Sequence, residues 1–401
     1  MSQECVRDAD RGSSSKVSTA WIIITAVGVM LVAANLRPAV VSVSPLVSDI
    51  RESTGFSAGT TGLLTTLPIL FFGLAAPFSP WLAARFGFER TVFASMLLLI
   101  AGIALRWIPG AGWLFLGSAV VGAAIGVCNV ILPGLIKRDF TRNSGLMTGL
   151  YSMTMTGGAA VAAAFTVPID DRFGGDWRKT LATWAILAVV AAVVWVPRLR
   201  QVRAGAYTRP APLWRNKIAW AITIFMGSQS FVFYTFVAWL PTYLLDRGYD
   251  KTAAGTVLAG GQLAAIAGSL AIPIIAGRFA DQRWAGVLAI ASSVAGLLGL
   301  FCTDVWAVFW CMLVLFGPGS ALGLALLFMV RRSRSAEQTN QVSGMSQCLG
   351  YLLAAVGPFT LGLVHDLTGS WAAAFSVMAV ALCTQAWGGW EAGRNVYMTE
   401  S

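Results

Sequence analysis

Arg37 occupies the most chemically demanding position in this sequence. It falls 19 residues into an apolar stretch that opens near residue 18. At about 1.5 Å per helical residue it lies deep within whatever buries that stretch. A guanidinium presents a rigid fork of N–H donors that matches two oxygens of one planar group. A charge at the centre of a bilayer costs about 2.5–3.5 kcal/mol on insertion scales, so its presence points to a use. No Asp or Glu falls in the interior of any long apolar stretch, so the sequence offers Arg37 no counter-ion. The pattern suits a cavity that receives an anion, or a planar solute with paired oxygens. Two other uses stand beside it. The side chain can snorkel to the outer headgroups, or it can bond carbonyls freed by Pro38. Uncharged polar residues recur in the same setting: Asn35, Asn129, Tyr151, Gln229, Tyr234, Gln347 and Tyr351. Each can tie helices together or line a polar cavity.

Other chemistries find little here. The one histidine, His365, excludes an H-E-x-x-H metal motif. The six cysteines contain no C-x-x-C pair, and five lie in apolar stretches, as buried thiols do. Gly317-Pro318-Gly319 lies within an apolar helix with no strand before it, so it is no nucleotide loop. No P-loop exists to power primary transport. A membrane-embedded enzyme or receptor would show a midplane cluster of His, Asp or Glu, and none is visible. Neither metal nor cofactor is expected.

The elements that must position these residues follow from composition. Of 401 residues, 57% are hydrophobic and 11% charged, against about 25% charged in a soluble domain. Too little charge is present to cover a globule of this size. Spanning a bilayer takes about 20 apolar residues per helix. Stretches such as 91–106 and 181–196 do not alternate as barrel strands would. Twelve helical segments are expected: 18–45, 58–80, 91–108, 113–136, 145–168 and 179–197, then 218–244, 252–276, 284–303, 306–330, 341–364 and 371–390. The linker 198–217 carries six basic residues and no acid, and separates bundles 18–197 and 218–390; polar tails fill 1–17 and 391–401. With both tails on one side, that side holds 20 Lys and Arg and the other 7, while the acids split 9 to 9. The positive-inside rule then places both termini in the cytoplasm. The net charge of +10 reports topology, not nucleic-acid binding.

The halves repeat. Phe56–Gly62 opens segment 2 as Tyr249–Gly255 opens segment 8, and Asp171–Trp177 follows segment 5 as Asp366–Trp371 follows segment 11, at offsets of 193 to 195 residues. Parallel six-helix repeats are a transporter architecture with the solute site between the halves, near midplane. The pairs Gly122/Gly126, Gly145/Gly149 and Gly319/Gly323 allow the close helix contacts that rocking halves need.

The loop Pro80-Trp-Leu82-Ala-Ala84-Arg85-Phe-Gly87-Phe-Glu-Arg90 and the loop Gly277-Arg-Phe279-Ala280-Asp281-Gln-Arg283 resemble the major facilitator signature G-x-L-x-D-R-x-G-R-R. The first copy has Ala84 where the family has Asp; the second keeps Gly277 and Asp281. The resemblance implies that Asp281 caps a helix end, helped by Arg283, and locks an outward-facing state that Ala84 cannot. Leu36-Arg37-Pro38, Thr61 to Pro68, Leu132 to Phe140, Gly149 to Met155, Trp239-Leu240-Pro241, Asp281 to Trp284 and Ser343 to Ala355 are similar to the cyanate and 2-nitroimidazole transporter family. That likeness runs through both halves. It implies an all-α, twelve-helix monomer in a bacterial inner membrane, carrying a small anion or nitro-aromatic by alternating access. Segments 1, 4, 7 and 10, with 5 and 11, would line the cavity. A drug/proton antiporter of the same fold is the alternative, although it usually needs a membrane carboxylate.

Overall fold

A computed structural model describes residues 19–56, 58–201, 213–303 and 305–398. The N-terminal tail, the centre of the linker with Arg203 and Arg209, and the last three residues lie outside the described residues.

Among the described residues, twelve helices are long and apolar enough to cross a membrane. Span 1 comprises α1 (Thr19–Ala34) and the short α2 (Pro38–Val41), and α3 (Val47–Thr54) follows. Span 2 is α4 (Ala58–Ala75) with α5 (Ser79–Phe86), span 3 is α6 (Phe88–Leu105), span 4 is α7 (Ala111–Asp139) and span 5 is α8 (Ser144–Arg172). Span 6 is α9 (Trp177–Thr183) with α10 (Ala185–Trp195). The second half is one helix per span: α11 (Lys217–Asp246), α12 (Lys251–Ala276), α13 (Arg283–Cys302), α14 (Ala307–Arg332), α15 (Ala336–Thr368) and α16 (Trp371–Ala392).

The expected single helix over 18–45 is broken. Pro38 has no N–H to give the Ala34 carbonyl, and the residue before a proline is pushed from the α region. The chain tightens first, with Asn35 N–H on Val32 O and Leu36 N–H on Ala33 O at 3.0 and 3.1 Å. Helix resumes at Pro38, a first-turn position proline suits. Arg37 therefore sits at the N-cap of α2, beside a break, and not within a continuous helix.

The repeat is structural. Asp176 caps α9 by accepting from Arg178 and Lys179 N–H, and Ser370 caps α16 by accepting from Ala373 N–H. The tryptophan after each cap reaches across its own half: Trp177 Nε1 donates to Ser53 Oγ at 2.8 Å and Trp371 Nε1 to Asp246 Oδ2 at 3.0 Å.

Of the three glycine pairs, one crosses between the halves. Gly122 and Gly126 face Pro68 and Phe72 of α4, and Gly319 and Gly323 face Ala265 and Ser269 of α12, each within its own half. A Cβ added at Gly145 on α8 would lie 2.9 Å from Gly277 Cα and 2.8 Å from Pro273 O on α12. One at Gly149 would lie 2.7 Å from Leu270 O. Gly344 of α15 similarly approaches Ala76 and Pro80. All these contacts lie toward the end that carries the loops after spans 2, 4, 8 and 10, the basic end. Farther along, a Cβ on Gly157 of α8 or Gly255 of α12 would meet nothing within 4 Å. The glycine contacts between the halves thus gather at the basic end.

Candidate functional site

The break in span 1 presents Arg37 to the space between the halves. Its Nη1 donates to the hydroxyl of Tyr234, on α11 of the other half, and the guanidinium carbon lies 5.9 Å from that ring's centre. Both residues are half-buried. Tyr234 is the partner the sequence did not offer Arg37, supplied from 197 residues away. The phenols of Tyr351 and Tyr151 lie within Coulombic range of the guanidinium. A fork with donors to spare, facing a space bordered by neutral hydroxyls and amides, can bind two oxygens of one solute.

Next to it lies a buried polar ring. Tyr151 OH donates to Asn129 Oδ1 at 3.4 Å. Gln347 of α15 crosses between the halves to Asn129 O at 2.7 Å and also reaches Ser343 Oγ at 3.1 Å. Tyr351 packs edge-on against Phe72 of the other half, with ring centres 5.4 Å apart. Asn129, Tyr151, Gln347 and Tyr351 are all buried. The structure brings these four and the Arg37–Tyr234 pair into one inter-half region.

Two expected site residues have other commitments. Asn35 spends its amide on Leu31 O at 2.8 Å and Leu187 O of α10 at 3.2 Å, which satisfies carbonyls beside the break. Gln229 spends its amide on Ser230 and Met226 of its own helix.

The gating residues divide by half. Asp281 Oδ1 accepts from Arg283 N–H at 3.0 Å, and its other oxygen lies 3.4 Å from Arg283 Nε. Asp281 thus caps the first turn of α13, its own helix. Arg331 donates to Gly277 O, while Arg332 donates to Gln282 Oε1 and to the carbonyls of Ala392 and Gly393. In the first half, Gly87 turns the chain at φ +84°, a conformation that favours glycine. Arg85 lies over Trp81 and Phe86, and Arg90 is exposed.

Where Ala84 leaves the first loop without a carboxylate, Glu89 supplies one five residues later. Glu89 is buried and its Oε1 meets Arg138 at 2.6 Å and Arg198 at 3.5 Å. Asp139 completes the cluster, with Arg138 at 2.7 Å and Arg198 at 2.5 Å. Trp195 Nε1 holds the Glu89 carbonyl at 3.0 Å. These residues tie α6, α7 and the end of span 6 together at the basic end. Sequence reasoning counted them only as loop charges. The available signal was Glu89 inside the signature loop and the adjacent Arg138-Asp139 at the end of span 4.

The Major Facilitator Superfamily profile matches residues 20–358. The chain is 38% identical to the 2-nitroimidazole transporter of Escherichia coli (strain K12), over 93% of this chain and 96% of that protein. It is 30% identical to the cyanate transport protein CynX of the same organism, over 85% and 90%. Its fold matches that of the transporter FucP, solved in an outward conformation, with a TM-score of 0.72 at 11% identity, over 90% and 97% of the two chains. A profile spanning most of the chain, relatives alike along both halves and the twelve-helix fold agree: the chain belongs to the Major Facilitator Superfamily.

Proposed function

We propose that this protein carries a small planar or anionic solute, of the nitro-aromatic or cyanate kind, across the bilayer by alternating access, with Arg37 as its principal contact. The observation that carries the reading is the Arg37 guanidinium at a helix break, half-buried between the halves and bonded to the neutral Tyr234 hydroxyl of the opposite half. A neutral hydroxyl is a partner that a solute oxygen can replace without leaving a carboxylate bare. The buried acids Glu89 and Asp170 are committed elsewhere, to Arg138 and to Thr180 Oγ1. This supports a solute-binding cation over a membrane carboxylate that cycles protons. The relatives named for 2-nitroimidazole and cyanate support the same solute class.

In this reading the basic end faces the cytoplasm, with both termini, by the excess of Lys and Arg there. The close glycine contacts of α8, α12 and α15 at that end support a state closed to the inside. The solute bridges Arg37 and the C-terminal half, displaces Tyr234 from the fork and draws the outer ends together, while the glycine contacts of α8 and α12 release. Asp281, Arg283 and the glycines of the two signature loops act at that inner gate. The protein works as a monomer within the lipid.

A thermal-shift screen of the purified protein tests the solute class. A ligand that binds the folded state raises the melting temperature by mass action. We expect stabilisation by 2-nitroimidazole or cyanate and none by lipophilic cations. Stabilisation by lipophilic cations alone would favour the drug/proton antiporter.

A further inference from the structure

Arg106 closes span 3 and reads, in sequence, as one of the few outer-loop charges. The structure buries it: 2% of its surface is exposed. Its side chain runs along Gly117 of α7, where an added Cβ would lie 2.9 Å from Arg106 Cγ. It ends on α2, with Nη1 donating to Ala39 O at 2.6 Å. That carbonyl needs a partner because the short helix stops there. Val43 N–H turns to Val40 O at 3.3 Å, a three-residue step back that passes over Ala39. Arg106 Nε and Nη2 are buried with no hydrogen-bond partner.

This is a costly way to satisfy one carbonyl. A neutral donor would serve a merely structural cap at less cost. Three elements converge on the break in span 1. Asn35 anchors its near side to α10, and Gly158 of α8 admits the Ala34 carbonyl so closely that a Cβ there would lie 2.7 Å from it. Arg106 anchors the far side, two residues beyond Arg37.

We propose that Arg106 is a positioning residue: it holds α2 against α6 and α7, and so fixes the direction in which the Arg37 fork enters the space between the halves. The inference rests on Arg37 as the solute contact, but its structural part does not. Arg106 touches no solute; it sets the backbone from which Arg37 projects. The positive charge adds a second effect, since a fixed buried cation in the same half raises the attraction of that half for an anion.

The test is Arg106→Met, which fills the volume and removes both the charge and the bond, with Arg106→Lys as a second variant. Three readouts are taken: hydrogen exchange of the segment 38–46, affinity for 2-nitroimidazole and for cyanate, and melting temperature. Loss of a charge-assisted bond predicts about tenfold weaker binding and faster exchange confined to 38–46. Because a bare buried charge is removed, the melting temperature should hold or rise. The loss should be larger for cyanate than for neutral 2-nitroimidazole. Arg106→Lys should keep the charge and lose the carbonyl contact, with intermediate affinity. Wild-type exchange in 38–46 for both variants overturns the proposal. So does a variant that melts lower while binding unchanged, which is the signature of a purely structural role. Exchange is read without ligand, so it decides the positioning role even if neither solute binds the wild-type protein.

Discussion

Gly145→Ala should move the protein out of the state seen here. An added Cβ would lie 2.8 Å from Pro273 O and 2.9 Å from Gly277 Cα. Each is about 0.5 Å or more inside ordinary contact for those atoms. Both obstacles are main-chain atoms, one in α12 and one at its C-cap, so no rotamer relieves them. The two halves must separate at the basic end, at about 1–3 kcal/mol for a clash of this kind. A conformation in which those ends are already apart is unaffected. The ratio of the two states should then shift by about 5- to 150-fold toward the open inner gate. Spin labels at Arg142 and Arg278, both exposed and flanking the contact, report the separation by pulsed dipolar spectroscopy. The long-distance population should grow in Gly145→Ala. Gly255→Ala, where an added Cβ meets nothing within 4 Å, is the control and should leave the distribution unchanged. An unchanged distribution in Gly145→Ala would refute the assignment of this glycine contact as part of the gate.

Glu89→Gln removes the more deeply buried carboxylate of the cluster with Arg138, Arg198 and Asp139 and should lower stability by about 3 kcal/mol, more than Asp139→Asn; the order of melting temperatures checks this. Tyr234→Phe removes the hydroxyl that occupies the Arg37 fork and should tighten 2-nitroimidazole binding by up to about tenfold. Weaker binding in Tyr234→Phe would instead make the hydroxyl a direct solute contact. A reporter fused after Ser401 or inserted near Ala206 should lie in the cytoplasm and one near Gly175 outside, and a reversed pattern would invert the proposed topology.

Spans, repeats and the closely packed glycine pairs were legible because bilayer thickness, charge placement and side-chain size act locally along the chain, but not that only the pair Gly145/Gly149 would cross between the halves. Arg37 stood out for the same reason: a charge in an apolar stretch needs no second residue to be noticed. Its partner was hidden, because nothing in 37 or its neighbours says that Tyr234 lies across the cavity. The break in span 1 had a signal, Pro38, but a proline alone does not tell a kink from a break; Leu187, Gly158 and Arg106 decide it, from outside span 1. Arg106 and Arg198 were counted as loop charges because each ends a segment, yet both fold back into protein. Segment ends are where sequence cannot separate a solvated charge from a buried anchor. Ala84 against Asp281 read as a missing lock in the first half. The structure instead places Glu89 in an ion-pair cluster there, and Asp281 on its own helix.

The central claim is that Arg37 grips the solute through two parallel hydrogen bonds. The direct measurement is the affinity of the wild-type protein, Arg37→Lys and Arg37→Ala for 2-nitroimidazole and cyanate, taken side by side on monodisperse protein. An ammonium keeps the charge but cannot offer the planar double contact. Arg37→Lys should therefore bind about 10- to 150-fold more weakly, and Arg37→Ala should not bind measurably. Equal affinities for Arg37 and Arg37→Lys would contradict the account and leave Asn129, Tyr151 and Gln347 as the remaining contacts.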